Sequence, residues 1–375
     1  MRFVIRQFLG KNHSWAIVGQ NIARSLLKLG HSVDLYSTDG IKYFPQDLKN
    51  NLIGYNEETN LNTIGRLPGS DYDAQFGYTA LHNADRYFVH SKNNKFLQWC
   101  YEIEGKNILP DGFSKYHKYL DKVLPPSIHD FLVFNDSGIP KDKLEVFHHG
   151  VDDNFINKSS TLQLKTKKRF KILVNLGQVH FRKNITGIFD AFGQAFTKND
   201  DVCLVMKVSI HNNANADYDV NFNLEYEKFR KKYKNHADVL VIKDFITDMS
   251  DLYRSCNCLF SMSHAESFLM PALEGLASKL IVVVPNYGGQ IDFCNHNNSL
   301  LINGDIVKAD RRAYYWQQRS NGMMFNPSIK HAVEQLQNAY KYEIELKSKF
   351  ATEFDTIRND YTWDNTAKQL IGLCK

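Results

Sequence analysis

The sequence contains no long apolar run. Its longest strongly apolar stretch, Leu280 to Val284, is far shorter than the ~20 residues of a membrane-spanning helix. The first residues, Met1 to Phe8, have the pattern of a core strand, and no hydrophobic region of a cleavable signal peptide follows them. We therefore expect a soluble protein in the cytoplasm, and peripheral contact with a membrane face stays open.

Cysteine is scarce, and its spacing is irregular. The 6 cysteines form no Cys-x-x-Cys, and the one close pair, Cys256 and Cys258, lacks partners at the spacing of a zinc site. Free thiols in a reducing compartment are the simplest explanation. We expect no metal site.

Neither sign of charge dominates. The chain has 46 lysines and arginines against 41 aspartates and glutamates, a net charge of +5. A duplex-binding protein carries a much denser basic stripe, so nucleic acid is not an expected partner. Two basic runs, Lys165–Arg169 and Arg230–Lys234, are where the phosphates of a ligand or a membrane would bind, although a solvated surface explains such runs more simply.

Several catalytic motifs are also missing. The chain has no Gly-x-Gly-x-x-Gly, no Walker-type lysine loop, no nucleophile elbow and no His-Glu-x-x-His. These absences argue against the enzymes that depend on those motifs, the nicotinamide enzymes among them. Asp71-Tyr72-Asp73 has the Asp-x-Asp form that can hold a metal ion, but it precedes an apolar strand, and a turn explains it better.

Strand-like and helix-like segments alternate along the chain, which indicates parallel βαβ units and the α/β class. The first unit runs from a strand at Phe3–Phe8 through a helix at Trp15–Leu29 to a strand at Ser32–Tyr36. Further strands of the first domain are predicted at Ala74–Tyr78, Lys95–Tyr101, Lys122–Leu124 and Leu144–Phe147.

The composition turns polar between about Gly150 and Phe170, and this change predicts a first domain over 1–160 and a second over 161–360. Tyr361 to Asp364 lead into a capped final helix that ends at Leu373. The strands predicted for the second domain are Phe170–Gly177, Val202–Lys207, Val239–Ile242, Cys258–Met262 and Ile281–Pro285.

The segment from Ser261 to Ala277 has the most informative pattern. A strand ends near Met262, and Pro271 suits the first residue of a helix. The loop between them presents backbone N–H groups at a helix N-terminus, where unpaired donors and the helix dipole favour an anion such as phosphate. Glu266 and Glu274 can face one bound molecule, and carboxylates accept hydrogen bonds from sugar hydroxyls. For an isolated pair of glutamates, a surface position would be the simpler explanation.

The residues around this pair resemble a known family. Glu-Ser-Phe-x-x-Pro-Ala-Leu-Glu-Gly-Leu-Ala at 266–277, followed by Pro-Asn-Tyr-Gly-Gly-Gln at 285–290, resembles the retaining glycosyltransferases of family 4, which have the GT-B fold. About a dozen positions match in order. A weaker resemblance extends across nearly the whole chain, at Lys28–Val33, Ser137–Asp152 and Gly177–Asn184.

This resemblance implies an α/β, GT-B architecture of two doubly wound Rossmann-like domains that face a central cleft. A C-terminal helix, about 361–375, would return to the first domain. The implied activity is that of a retaining hexosyltransferase, which moves a hexose from a nucleotide-diphosphate sugar, UDP- or GDP-linked, to a glycan, a glycolipid or another acceptor. The second domain would bind the donor and the first the acceptor. The resemblance implies neither a metal ion nor a cofactor.

The family's residue roles transfer to matching positions. Glu266 would contact the hydroxyls of the donor sugar and Glu274 those of the ribose. Lys183 would face the diphosphate, whose negative charge grows as the donor bond breaks. Base recognition is expected near Asp244–Thr247. The other donor-binding candidates are the loop residues Gly177 and Arg182 and the backbone N–H groups of Phe268, Leu269 and Met270.

On the acceptor side, the resemblance is less specific. His82 lies roughly where many family members have a histidine at the reaction centre, and His13, His90 and Glu102 are the other candidates. The first loop lacks the family's usual Gly-Gly-x-x-Arg, which leaves the acceptor open.

The donor loops depart from the family at two positions. Gln178 stands where the family has an arginine, so Arg182 would have to supply that charge. Leu269 stands where the family has a glycine, which alters the approach of the backbone to the ligand. These two departures keep open a catalytically inactive sugar-binding or scaffold subunit. A nucleotide-sugar epimerase or phosphorylase of the same architecture is the other alternative.

Overall fold

The computed structural model describes residues 1–10, 14–55, 72–88, 94–105, 108–209, 220–313 and 321–374. The chain divides into two compact units. Unit 1 comprises Met1–Tyr101, Lys106–Gly150 and Tyr361–Lys375, and unit 2 comprises Glu102–Gly105 and Val151–Asp360. Among the described residues, no helix combines the length and the apolar character needed to cross a membrane.

Unit 1 is built on a six-stranded parallel sheet in the order β3-β2-β1-β4-β5-β6. Successive residues of its central strand, Phe3, Val4 and Ile5, are all buried, as expected of a parallel strand that is covered on both faces. The strands are β1 (Arg2–Gln7), β2 (Ser32–Ser37), β3 (Leu52–Tyr55), β4 (Ala74–Tyr78), β5 (Lys95–Gln98) and β6 (Lys122–Leu124), and the helices before Gly150 are α1 (Ser14–Lys28), α2 (Ala84–Tyr87) and α3 (Ile128–Asp136).

The strand predicted at Leu144–Phe147 is wrong. Leu144 forms an isolated bridge to Val123, and the amides of Glu145 and Phe147 donate to the carbonyls of Val123 (3.1 Å) and Pro125 (2.8 Å). The segment therefore runs beside β6, but no regular ladder continues there, since Pro125 and Pro126 have no N–H to donate.

Unit 2 contains a second six-stranded parallel sheet, in the order β12-β11-β10-β7-β8-β9, and an antiparallel hairpin of β13 and β14. Alternate residues of β7 and β8 enter the core on one face of this sheet. The elements are α4 (Asp153–Asn157), β7 (Phe170–Gln178), α5 (Ile185–Ala195), β8 (Val202–Ser209), α6 (Phe222–Lys232), β9 (Asp238–Ile242), α7 (Met249–Arg254), β10 (Cys258–Phe260), α8 (Met270–Ala277), β11 (Ile281–Pro285), β12 (Ser299–Ile302), β13 (Gly304–Lys308), β14 (Met323–Pro327), α9 (Ile329–Lys341), α10 (Glu343–Lys349) and α11 (Ala351–Asp360).

The polar segment that follows Gly150 belongs to unit 2. The hydroxyl of Ser160 donates to Asp251 (2.6 Å), and the amide of Leu162 donates to the hydroxyl of Ser255 (2.7 Å). These bonds fix the segment against the end of α7, so the change of unit falls about ten residues before the predicted boundary at 160.

The last helix, α12 (Trp363–Leu373), is part of unit 1 and packs against α1. Thr362 caps it by accepting from the amide of Asn365, and the side chain of Gln369 donates to the carbonyl of Val146 (2.7 Å). Gly150 permits this close approach, because a Cβ there would lie 2.3 Å from the backbone nitrogen of Trp363.

Gly150→Ala should therefore destabilise unit 1. Overpacking against a backbone that cannot move aside costs about 1–3 kcal/mol. The control is Gly372→Ala in α12, where an added Cβ would meet nothing within 4 Å. That substitution should be neutral or stabilising by up to about 1 kcal/mol, since alanine favours a helix over glycine. Urea denaturation followed by circular dichroism measures both, and equal stabilities of the two variants would contradict the prediction.

Candidate functional site

Glu266 lies in the loop between β10 and α8, where the backbone changes direction sharply. α8 begins at Met270, and Pro271 in its first turn has the fixed φ that a helix start needs. Leu269, just before the helix, has a left-handed backbone with φ of 62°. Glycine adopts this conformation freely, whereas a leucine there costs about 1–2 kcal/mol. Leu269, which stands where the resembled family has a glycine, therefore has a strained backbone.

The carboxylate of Glu266 is 5% exposed and is held by two cations. The Lys183 ammonium donates to its Oε1 (2.6 Å), and the Arg182 guanidinium donates to its Oε2 (2.8 Å) and to the carbonyl of Ala265 (3.0 Å). Both cations lie in the short 3-10 turn Phe181–Lys183 that follows β7. The structure thus brings together three of the residues that the sequence analysis placed at one site.

This turn is fixed at each end by a side chain. The ring of His180 accepts from the amide of Arg182 (3.1 Å). Asn184 has a left-handed backbone, and its side-chain oxygen accepts from the amide of Gly187 (3.0 Å) at the start of α5. The two consecutive cations are consequently held in one orientation toward Glu266.

The charges determine the protonation of Glu266. Burial raises the pKa of its carboxyl, but Arg182 and Lys183 outweigh burial and lower that pKa to about 2. Burial lowers the pKa of Lys183 from its ordinary value, Glu266 opposes this shift, and Arg182 adds to it. Glu266 is therefore ionised throughout the physiological range, as a residue that accepts hydrogen bonds from hydroxyls should be.

A second carboxylate, Glu102, completes this cluster. Its Oε1 lies 3.2 Å from Nη2 of Arg182. The short segment Glu102–Gly105 is held on unit 2 through Glu104, whose amide donates to the carbonyl of Met323 (3.1 Å) and whose carboxylate accepts from the hydroxyl of Tyr287 (2.6 Å). Two carboxylates and two cations thus balance each other in the interior, where unpaired charges would be costly.

The Pro-Asn-Tyr-Gly-Gly-Gln sequence packs against the loop of Glu266. The amide of Gly289 donates to the carbonyl of Glu266 (2.8 Å). A Cβ on Gly289 would lie 1.8 Å from the carbonyl oxygen of Ser267, and Gly288 has φ of 89°. These contacts require glycine at both positions and explain why the two motifs occur together in the sequence.

Glu274 lies one turn inside α8 and is part of a separate network. The hydroxyl of Tyr253 donates to its Oε2 (2.6 Å) and accepts from the side-chain amide of Asn175 (3.0 Å). Burial raises the pKa of Glu274 to about 7, Tyr253 opposes that shift, and Asp152 adds to it. Asn175 and Tyr253 were not among the predicted site residues, although a polar residue inside the apolar strand β7 was a usable signal.

A cavity opens between these two networks, at the carboxyl ends of β7 and β10. The amides of Leu269 and Met270 precede the first hydrogen bond of α8, in which Ala272 donates to Leu269 (2.9 Å). An anion that reached this end of α8 would meet Lys183 and the positive end of the helix dipole. The cavity is lined by four polar residues, Asn175, Lys183, Ser261 and Ser263, and by Leu269 and Pro271 at the start of α8.

Other predicted residues have more limited roles. The Phe268 ring is buried and lies 5.0 Å from the Phe293 ring, so it serves the core, and its backbone N–H is the group that could face a ligand. Gly177 is exposed and has φ of 57° at the end of β7.

His82 belongs to unit 1. It is half-buried, with its ring 4.4 Å from that of Phe113. Burial lowers its pKa, Arg86 adds to the shift, and Asp85 opposes it. The candidates His13 and His90, and Asp71 of the Asp-x-Asp sequence, lie outside the described residues. Within the described part of the chain, no group of three or more His, Cys, Asp or Glu side chains could hold a metal ion.

The chain is similar in sequence and in fold to known glycosyltransferases. Residues 158–341 match the model of the family described as glycosyl transferases group 1. This matched region, which makes up most of unit 2, is thus similar to that family. A curated relative, mannosylfructose-phosphate synthase of Agrobacterium fabrum, is 24% identical over 186 residues, which are 48% of this chain and 40% of that protein. The chain thus spans less than half the length of this relative.

Solved structures show the same fold over the whole chain. Anabaena HepE in complex with UDP has a TM-score of 0.71 at 13% identity and covers 99% of both chains. A glycosyltransferase from Rickettsia africae has a TM-score of 0.71 at 16% identity and covers 100% of this chain and 98% of its own. Sucrose-phosphate synthase from Thermosynechococcus elongatus has a TM-score of 0.70 at 13% identity, with coverages of 99% and 98%. The predicted GT-B fold is confirmed, and the match of residues 158–341 supports the predicted glycosyltransferase class.

Removing Arg182 should destabilise unit 2. Arg182→Met removes the guanidinium that pairs with both Glu102 and Glu266, and breaking a buried ion pair costs about 3–5 kcal/mol. The control is Arg169→Met, because Arg169 pairs with Glu343 at 2.7 Å but is 54% exposed, and such pairs contribute under about 1 kcal/mol. Urea denaturation of both variants tests this difference, and similar losses would contradict a buried charge cluster.

The pKa of Glu274 predicts a pH dependence of the stability of the same domain. A carboxyl whose pKa is raised to about 7 from 4.5 binds its proton more tightly in the folded state. This contribution to stability is complete below pH 4.5 and is lost as the pH rises through 7. Glu274→Gln should therefore gain about 2–3 kcal/mol relative to wild type between pH 5 and pH 8. Denaturation at several pH values measures the difference, and a difference independent of pH would refute the assignment.

Proposed function

We propose that this chain is a retaining hexosyltransferase that transfers a hexose from a UDP- or GDP-linked sugar to a glycan, a glycolipid or another acceptor. The observation that carries the proposal is the buried carboxylate of Glu266, held by Arg182 and Lys183 at the entrance to α8 and beside a cavity. An ionised carboxylate next to two cations and a helix N-terminus suits a ligand that has both sugar hydroxyls and phosphates.

The proposed chemistry follows from those charges. The bond between the anomeric carbon and the diphosphate oxygen breaks, and negative charge accumulates on the leaving diphosphate. Lys183 and the amides at the start of α8 stabilise that charge. Glu266 orients the sugar through its hydroxyls. The acceptor oxygen forms the new bond on the same face of the sugar, and its proton passes to the leaving diphosphate. No protein nucleophile, metal ion or cofactor takes part in this proposal.

Arg182 supplies the charge that Gln178 does not. Arg182 precedes Lys183 directly in the sequence. Its guanidinium is fixed by the carboxylate of Glu102 and by the carbonyl of Ala265. A guanidinium remains charged at all accessible pH values and keeps donors in a fixed fork. We assign Arg182 to holding Glu266 ionised and to the positive potential that meets the diphosphate.

Glu274 is assigned to the ribose, and His82 to the reaction centre on the acceptor side. The relative Anabaena HepE was solved with UDP and also with UDP and glucose, which supports a nucleotide-sugar donor for this fold. A protein without a membrane-crossing helix among its described residues could take either a free glycan or the head group of a glycolipid as acceptor.

Lys183→Met should lower turnover by about 100- to 1,000-fold, which is the effect of removing one group that stabilises transition-state charge. Lys228→Met is the control, since Lys228 is exposed on α6 and pairs with Glu225.

Glu274→Ala should weaken UDP binding about 10-fold and change turnover at saturating donor much less. Calorimetry with UDP and GDP and release of nucleotide from their hexose conjugates provide the measurements.

The product distinguishes the alternatives. Transfer to an acceptor supports the proposal, whereas an isomerised nucleotide sugar would indicate an epimerase, and a sugar phosphate formed from inorganic phosphate would indicate a phosphorylase. UDP binding without turnover toward any acceptor would indicate an inactive sugar-binding subunit. Normal turnover in Lys183→Met would overturn the assignment of the site.

A further inference from the structure

Lys207, on β8, is a buried lysine that the site described above does not use. It is 7% exposed, and no hydrogen bond or ion pair joins its ammonium to a residue in the part of the chain that the structure describes. Burial lowers its pKa, and the charge of Asp244 opposes that shift. A lysine side chain that is this largely covered usually has a partner for its ammonium, because the charge loses hydration. Lys207 is therefore a candidate for contact with a ligand.

The position of Lys207 in the sheet shows which face it occupies. Its register partner on β7 is Asn175, and partners on neighbouring strands lie on the same face. Asn175 bonds to Tyr253, which in turn bonds to Glu274. Lys207 therefore lies next to the Glu274 network, at the carboxyl edge of the sheet. The alternate residues on the other face, Val174, Leu176, Met206 and Val208, are all in the hydrophobic core.

Its distance from the phosphate-binding groups restricts what Lys207 can contact; this step rests on the proposed function. Lys183 follows β7, and α8 follows β10, whereas β8 lies on the far side of β7 from β10. Strands are about 4.8 Å apart, so β8 is about 10 Å from β10. With the diphosphate near α8 and the ribose at Glu274, a base directed away from α8 along the carboxyl edge would reach β8 and the end of β9, which Asp244 follows.

We propose that Lys207 recognises the base of the donor nucleotide by donating a hydrogen bond to a base carbonyl oxygen. An ammonium can only donate, and uracil and guanine both present a carbonyl oxygen where adenine presents an amino group. Lys207 therefore favours a base that presents a carbonyl oxygen to it over adenine, which presents an amino group at the same position. A charge-assisted bond made away from water contributes about 10- to 100-fold in affinity.

Calorimetric titration of the full chain and of Lys207→Met with UDP, GDP, ADP and pyrophosphate tests this role. The variant should bind the preferred carbonyl-base nucleotide about 10- to 100-fold more weakly, and its affinity for ADP and pyrophosphate should stay unchanged. Lys171→Met is the matched control. Lys171 lies on the same face of the sheet near the start of β7, its ammonium reaches the carbonyl of Arg169 at 3.4 Å, and its loss should change no affinity.

Three results would overturn the inference. Equal losses for all the phosphate ligands would make Lys207 a phosphate contact, and unchanged affinities would leave it no role in binding. Methionine has a similar length and no charge to desolvate, so Lys207→Met should melt at or above the wild-type temperature. A lower melting temperature would show that Lys207 supports the fold. If the wild-type chain binds none of the nucleotides, the proposed function itself fails, and that result precedes any comparison of variants.

Discussion

The candidate site depends on one buried carboxylate. Glu266 could not stay ionised in the interior without Arg182 and Lys183, because an isolated buried charge is expelled or neutralised. Each cation also needs a fixed backbone, which the 3-10 turn after β7 supplies. The arrangement therefore links the ends of two neighbouring strands, β7 and β10, and a ligand that meets Glu266 also meets both cations.

The two faces of the unit 2 sheet have different compositions at its carboxyl edge. One face continues as hydrophobic core to the ends of β7 and β8, whereas the other ends in Asn175 and Lys207. Because the residues of a strand alternate between faces, polar groups can enter at this edge without disrupting the core. The strained backbone of Leu269 and the largely covered side chain of Lys207 both reduce stability, which is typical of positions that a site requires.

The sequence was sufficient to predict the α/β class, most strands and the loop of Glu266, because these depend on local apolar patterns and on Pro271. It did not predict β3, β12 or the β13–β14 hairpin. Gly54 in β3 and the exposed residues of β13 give weak strand patterns. The pairing of Glu102 with Arg182 was also unpredictable. It joins residues 80 positions apart, and it forms because the short segment Glu102–Gly105 belongs to unit 2, whereas the chain on both sides of it belongs to unit 1. The roles of Lys183, Glu266 and Glu274 toward a donor stay predictions.

Unit 1 consists of two distant parts of the chain, and this affects the order in which the protein can fold during synthesis. Residues of α12 leave the ribosome only after all of unit 2 has been made. Until then the surface of α1 that α12 covers has no partner, and the carbonyls of Val146 and His148 lack the bonds that Gln369 and Thr366 provide. Unit 2 is continuous from Val151 to Asp360 apart from the short segment Glu102–Gly105, so it can complete its sheet first. Unit 1, most of which is made before unit 2, is thus the later of the two to close, and its apolar surface is exposed to chaperones for longer than that of unit 2.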